Sequence, residues 1–299
     1  MPPQPGMGDV PRNTKRGFDS CLLGDPGLTI GRLKRPKLGN RSRHGRTIVL
    51  NGSKPSVGLP PFKDEPLRKI VLQSHLSTRA RERLRKVANG NQKLMFIVFD
   101  GIDGAGKSTQ IGLTRAWLSE QGRAVDVCFD PGSTVLGLEL RRLLLTPGGP
   151  AIAPVSEMLM FTAARAQLVE EVIRPALERG SIVLCDRYIF STVVYQGYAG
   201  GVPVDKIWQV NLAATGELLP HLTLLFDLPA QEALRRLTTS PDRMESRGIA
   251  FFECVRQGFL SEAERWPSQV AIIDATQSIA DIQNQIREAV KRVEECART

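Results

Sequence analysis

One octapeptide limits what this chain can fold into more than any other feature: Gly101-Ile102-Asp103-Gly104-Ala105-Gly106-Lys107-Ser108, which fits GxxxxGK[ST]. An apolar run, LMFIVFD (94–100), precedes it, and a helix-periodic run follows as far as Gln121, where Gly122 stops it. Strand, glycine loop and helix in that order are the context the motif requires. Glycines let the backbone curl until its N–H groups converge on phosphate oxygens, and the helix beginning near Lys107 adds its positive end. Lys107 is a long cation for terminal phosphates, and Ser108 offers a hydroxyl to Mg²⁺. The candidate ATP-binding segment is therefore Gly101–Thr109, with Mg²⁺ as its companion ion. The loop does not name the group that receives the phosphate, because GTPases, motor ATPases and small-molecule kinases share it.

The pattern that starts here continues to the C-terminus. Short apolar strands are expected at 94–100, 123–129, 181–186, 221–228 and 270–275. Helices are expected at 136–145, from about Ser156 to Arg179, over much of 190–216, and at 230–239, 249–265 and 279–296. Apolar strands alternating with helices imply an α/β fold: a five-stranded parallel sheet covered by helices on both faces, the three-layer arrangement of P-loop NTPases. Ligands then belong beyond the carboxyl ends of the strands.

Charge divides the chain at the same place. Residues 1–93 hold 20 Lys+Arg against 6 Asp+Glu, a net +14, while 94–299 carry −5; together they give the formal +9. The basicity belongs to the first third and not to the globular part. The expected organisation is a basic, Pro/Gly-rich and largely disordered extension at 1–92, then a catalytic domain at 93–299 with a lid at about 237–248. A basic helix is expected within 64–88. The extension reads as a disordered tail, a transit sequence or a stretch upstream of a later start, and its early Pro and Gly weigh against an amphipathic transit helix. No run of 18 apolar residues is present, so no membrane helix is expected. Cys21, Cys128, Cys185, Cys254 and Cys296 form no CxxC pair, which points to a reducing compartment, the cytoplasm.

The acceptor must be read elsewhere. SIVLCDRYIFSTVVYQG (181–197) is a strand ending in Asp186-Arg187. An acid at that position orients Mg²⁺ through water, and the arginine beside it can fork onto a phosphate; an ion pair between the two is the competing reading. Ser191, Thr192, Tyr195 and Gln196 follow at helical spacing, either as a base pocket or as a solvated face. Phe161 and Arg165 lie four apart on one helical face, an aromatic plane and a guanidinium suited to a nucleobase, although Phe161 taken alone is more often a core-packing residue.

The strings FDGIDGAGKSTQ, DPGSTVLG with Arg141, FTAARAQ, DRYIFSTVVYQG, DLPAQEALRR and DRMESRGIAFFECVRQGFL occur here in the order and spacing of thymidylate kinases, and the chain resembles that family from 94 to about 292. The resemblance implies phosphorylation of dTMP to dTDP with ATP and Mg²⁺. It implies that Asp103 sits near the acceptor phosphate and sugar, that Phe161 stacks on thymine, and that Arg165 hydrogen-bonds the base edge. Arg187 then holds the acceptor phosphate, Thr192 and Gln196 read the base, and Tyr195 crowds the 2′ position against ribose. Lys107, Arg187, Asp103 and Arg243 are the candidate catalytic residues, and a homodimer is a possible partner state.

Three departures stand out. Gly104 leaves the loop without an arginine, and the lid LRRLTTSPDRMESRG (234–248) is short and carries Leu237-Thr238-Thr239-Ser240 where relatives cluster arginines. Arg243 or Arg247 is expected to supply the missing charge on lid closure. His221 replaces an acid, as a surface or strand-edge residue, and Phe129-Asp130-Pro131 replaces Arg-Glu-Pro. Two other functions compete: a P-loop kinase for another nucleotide, and a non-catalytic nucleotide sensor whose basic tail grips nucleic acid.

Overall fold

The computed structural model describes residues 95–237 and 242–296. The expected extension at 1–92 and its helix at 64–88 lie outside the described residues. Strand β1 (Met95–Gly101) is buried along its whole length, which explains its unbroken apolar run. It is followed by α1 (Lys107–Glu120), β2 (Val125–Phe129) and α2 (Val135–Leu145). Helix α3 (Pro154–Leu168) has proline in its first turn, two residues before the expected start, because the missing N–H of Pro154 costs nothing there. It runs through a π-helical segment (Val169–Ile173) into α4 (Arg174–Glu178).

Strand β3 (Ile182–Asp186) leads to α5 (Ile189–Thr192), which widens into a second π segment (Val193–Tyr198). Then come α6 (Val204–Thr215), β4 (Leu222–Asp227), α7 (Ala230–Arg236), a 3₁₀ turn (Glu245–Arg247), α8 (Ile249–Arg265), β5 (Val270–Asp274) and α9 (Ile279–Cys296). The helical segments expected over much of 190–216 are separated at 199–203, where Gly200, Gly201 and Pro203 leave the helical ladder unsupported. Among the described residues no helix is long and apolar enough to cross a membrane.

The sheet is five-stranded and parallel, in the order β2-β3-β1-β4-β5. β1 is first in sequence and central in space. Register pairs Phe99 with Asp186 and Gly101 with Phe226, so the phosphate loop and the Asp186-Arg187 pair leave adjacent strand ends side by side. Two loop glycines are required by contact as well as conformation. At Gly101 (φ 133°) a Cβ would lie 2.6 Å from the Phe226 carbonyl oxygen, and at Gly104 (φ 80°) 2.5 Å from that of Ala233.

Candidate active site

Two adjoining clefts open beyond the carboxyl ends of β1 and β3. The first is lined by Gly104, Gly106, Lys107, Ser108, Thr109 and Asp186, among others, and Cys128 forms part of its floor. The second, about 510 Å³ including its mouth, is lined by Phe161, Arg165, Ser191, Thr192, Tyr195 and Gln196, with Asp242 and Met244 across the opening. Asp103, Asp130, Arg141 and Arg187 border both. Each expected loop and acceptor residue thus lies on one cleft or the other, except Gly101, Ile102 and Ala105, whose places are in the backbone beneath.

In the phosphate loop, Lys107 folds back so that Nζ donates to the carbonyls of Gly101 (3.0 Å) and Ile102 (2.9 Å). Burial pulls its pKa down, and the nearby Arg187 adds to this. Asp186 does not pair with Arg187. Its Oδ1 is buried and receives no hydrogen bond, and the residue lines the same cleft as Ser108. A buried carboxylate oxygen without a donor, on a residue that shares a cleft with a serine, is a fit for a hard divalent cation that keeps most of its waters, as Mg²⁺ does.

Arg187 joins the clefts. Its backbone is left-handed (φ 67°), uncommon for a side chain of this size, and is pinned by its N–H on the Phe99 carbonyl at 2.9 Å. The guanidinium donates to the Gly101 carbonyl and to Ser191 Oγ, both at 3.0 Å, and to Asp103. Ser191 in turn donates to the fully buried Asp100 (2.6 Å). Burial raises the Asp100 pKa. Burial also works against Asp103, but Arg187 and Lys107 outweigh it and hold that carboxyl down at about 2. Tyr195 donates to the other Asp103 oxygen (3.1 Å); burial keeps its phenol neutral, with a pKa well above the ordinary value.

Arg165 is 1% exposed, and its head is largely spoken for. It donates to Asp130 (2.6 Å), Thr192 Oγ1 (2.8 Å), the Tyr188 carbonyl (3.0 Å) and Asn211. Its cation–π partner is Tyr188 and not Phe161. Phe161 is only partly buried and faces the second cleft. Ser191, Thr192, Tyr195 and Gln196 are all buried, which removes the solvated-face reading. Arg243 and Arg247 do not reach the phosphate cleft: both donate to Glu157 of α3. His221 sits at the sheet's lower edge, where Nδ1 accepts from the Phe96 N–H (2.9 Å). Sequence reasoning noted Asp130 only as an acid kept near the acceptor, and missed Asn211 and Glu157 as site residues. Glu157 was within reach, since it lies one helical turn before Phe161 and two before Arg165.

The profile of the family described as thymidylate kinase matches residues 99–286, well over half of the chain. The chain belongs to the thymidylate kinase family. Thymidylate kinase of Symbiobacterium thermophilum is 43% identical over 200 residues, covering 67% of this chain and 94% of that protein. That of Exiguobacterium sp. is 45% identical over 194 residues, covering 64% and 92%. A crystal structure of thymidylate kinase from Ehrlichia chaffeensis superposes with a TM-score of 0.54 at 31% identity, over 66% of this chain and 98% of that one. The thymidylate kinase resemblance at 94–292 and the P-loop fold class are thereby borne out. Asp130, an acid at the carboxyl end of β2, accepts directly from Arg165.

Proposed function

We propose that this thymidylate kinase family member transfers the γ-phosphoryl of ATP to the phosphate of dTMP, giving dTDP and ADP. The observation that carries the reading is Arg187, poised in a left-handed backbone between the phosphate loop and the pocket of Phe161, Arg165, Thr192, Tyr195 and Gln196. The acceptor oxygen is already anionic, so alignment and charge neutralisation are needed more than a base. Gly101–Thr109 cradles the donor phosphates, and Lys107 leaves the loop carbonyls to reach them. Ser108 and Asp186 would hold Mg²⁺, which would neutralise charge on the donor phosphates. Arg187 turns from Asp103 onto the acceptor phosphate, and Asp103 receives the sugar side. Phe161 stacks on the base, and Arg165 and Gln196 hydrogen-bond its edge. Tyr195, wedged between Asp103 and Phe259, leaves little room for a 2′-hydroxyl. Arg243 acts as a further cation only if it leaves Glu157.

Residues 93–299 are the catalytic unit in this reading. The exposed apolar residues of α2 and the start of α3 (Val135, Leu138, Val155 and Leu159) support a homodimer through that face. The test is a phosphotransfer assay with ATP and Mg²⁺ across dTMP, dUMP, UMP, CMP and thymidine, on the full chain and on 93–299. Preference for dTMP is expected from both, and equal use of ribonucleotides would sink the reading.

A further inference from the structure

The pocket leaves one buried carboxylate without a task. Glu157 is 3% exposed, heads the α3 stripe that continues through Phe161 and Arg165, and serves three donors. Gln196 Nε2 donates to it at 2.9 Å, Arg247 at 3.0 and 3.2 Å, and Arg243 closely as well. The two arginines come from a turn that closes on itself. Asp242 accepts from the N–H groups of Met244 (2.7 Å) and Glu245 (2.8 Å), while Glu245 accepts from the Asp242 N–H (2.9 Å). Arg243 also ties this turn to the end of α2, donating to the Leu144 carbonyl at 2.6 Å. Asp242 and Met244 of the same turn wall the acceptor pocket. One carboxylate therefore grips both a wall of the pocket and a side chain inside it.

We infer that Glu157 is a positioning residue for acceptor selectivity: it locks the Gln196 amide with nitrogen turned away and oxygen facing the base, and clamps the Asp242–Arg247 turn over it. A carboxylate facing two guanidiniums only accepts hydrogen bonds, so Gln196 must present Nε2 to it. Gln196 Oε1, which receives no hydrogen bond among the described residues, is left as the pocket's acceptor. It suits a pyrimidine whose ring nitrogen carries a proton, as thymine's does, and opposes the bare ring nitrogen of cytosine. An amide free to rotate by half a turn would serve either base; Glu157 forbids that rotation. The inference rests on the acceptor reading above.

The test uses the full chain and the ratio of kcat/KM for dTMP over dCMP, which a merely structural role would not move. Glu157→Gln keeps the volume but frees both amides. The ratio is expected to fall about tenfold or more, the worth of one hydrogen bond of this kind, mostly through KM. The exchange Glu157→Gln with Gln196→Glu again presents only an acceptor to the base, and is expected to restore much of the ratio. A folded Glu157→Gln protein with wild-type selectivity overturns the inference. If that variant lacks a melting transition, the folded exchange variant decides: recovered selectivity supports the lock and collapsed selectivity overturns it. Wild-type protein that used dCMP as well as dTMP would instead defeat the acceptor reading, a separate outcome.

Discussion

Arg187 concentrates the physical constraints of the site in one residue. Its guanidinium spans a loop carbonyl, a hydroxyl and a carboxylate, and Asp100 lies 3.8 Å away with no exposure at all. Arg187→Lys keeps the charge but loses the planar fork, and Arg187→Ala loses both. Turnover is expected to fall about 10²–10³-fold for the alanine variant, the usual scale for removing one donor to transition-state charge, and less for lysine. The alanine variant should also melt earlier, since it removes the guanidinium beside the fully buried Asp100 and the partly exposed Asp103. Steady-state kinetics and a melting curve check both parts. Asp103 gives a prediction in pH. Its folded pKa of about 2 lies below the ordinary value of about 3.9, so its stabilisation is complete above the latter and lost as pH falls toward the former. The stability gap between wild type and Asp103→Asn should therefore be constant near neutrality and close below about pH 4, as read by urea unfolding at stepped pH. The residue types at this site were legible because the motif fixes them. Their pairings were not: Arg187 chose Asp103 over its neighbour Asp186 because the left-handed backbone turns it back across β1.

Among the elements, the phosphate loop is held from outside as much as by its own turns. Gly104 abuts the Ala233 carbonyl of α7, so Gly104→Ala adds a methyl where there is neither space nor an easy backbone conformation. ATP affinity, measured by calorimetry, is expected to drop at least about tenfold; wild-type affinity would show that α7 yields. Helices α8 and α9 were readable to the residue, since α8 follows a glycine and α9 carries a regular apolar stripe. The two π segments were not. An extra residue per turn leaves no periodic signature over five or six positions, yet the second carries Tyr195 and Gln196 into the pocket. The short lid was visible as a departure, whereas its docking on Glu157 depends on a contact 86 residues apart in sequence.

At the level of the whole molecule, α2 carries the least covered apolar surface among the described residues: within it only Gly137 and Leu144 are buried, while Val135 is 82% and Leu138 52% exposed. Leu138→Glu should cost the monomer little, because the side chain faces solvent, but should convert a dimer into a monomer in sedimentation velocity. An unchanged dimer would place the interface elsewhere. The sheet order has a consequence for how the protein is made. Of the five strands, β1 leaves the ribosome first, yet its flanking partners β3 and β4 follow about 85 and 125 residues later. The phosphate loop therefore cannot be finished while the chain is still emerging, and a nascent polypeptide halted before Leu222 should not retain nucleotide.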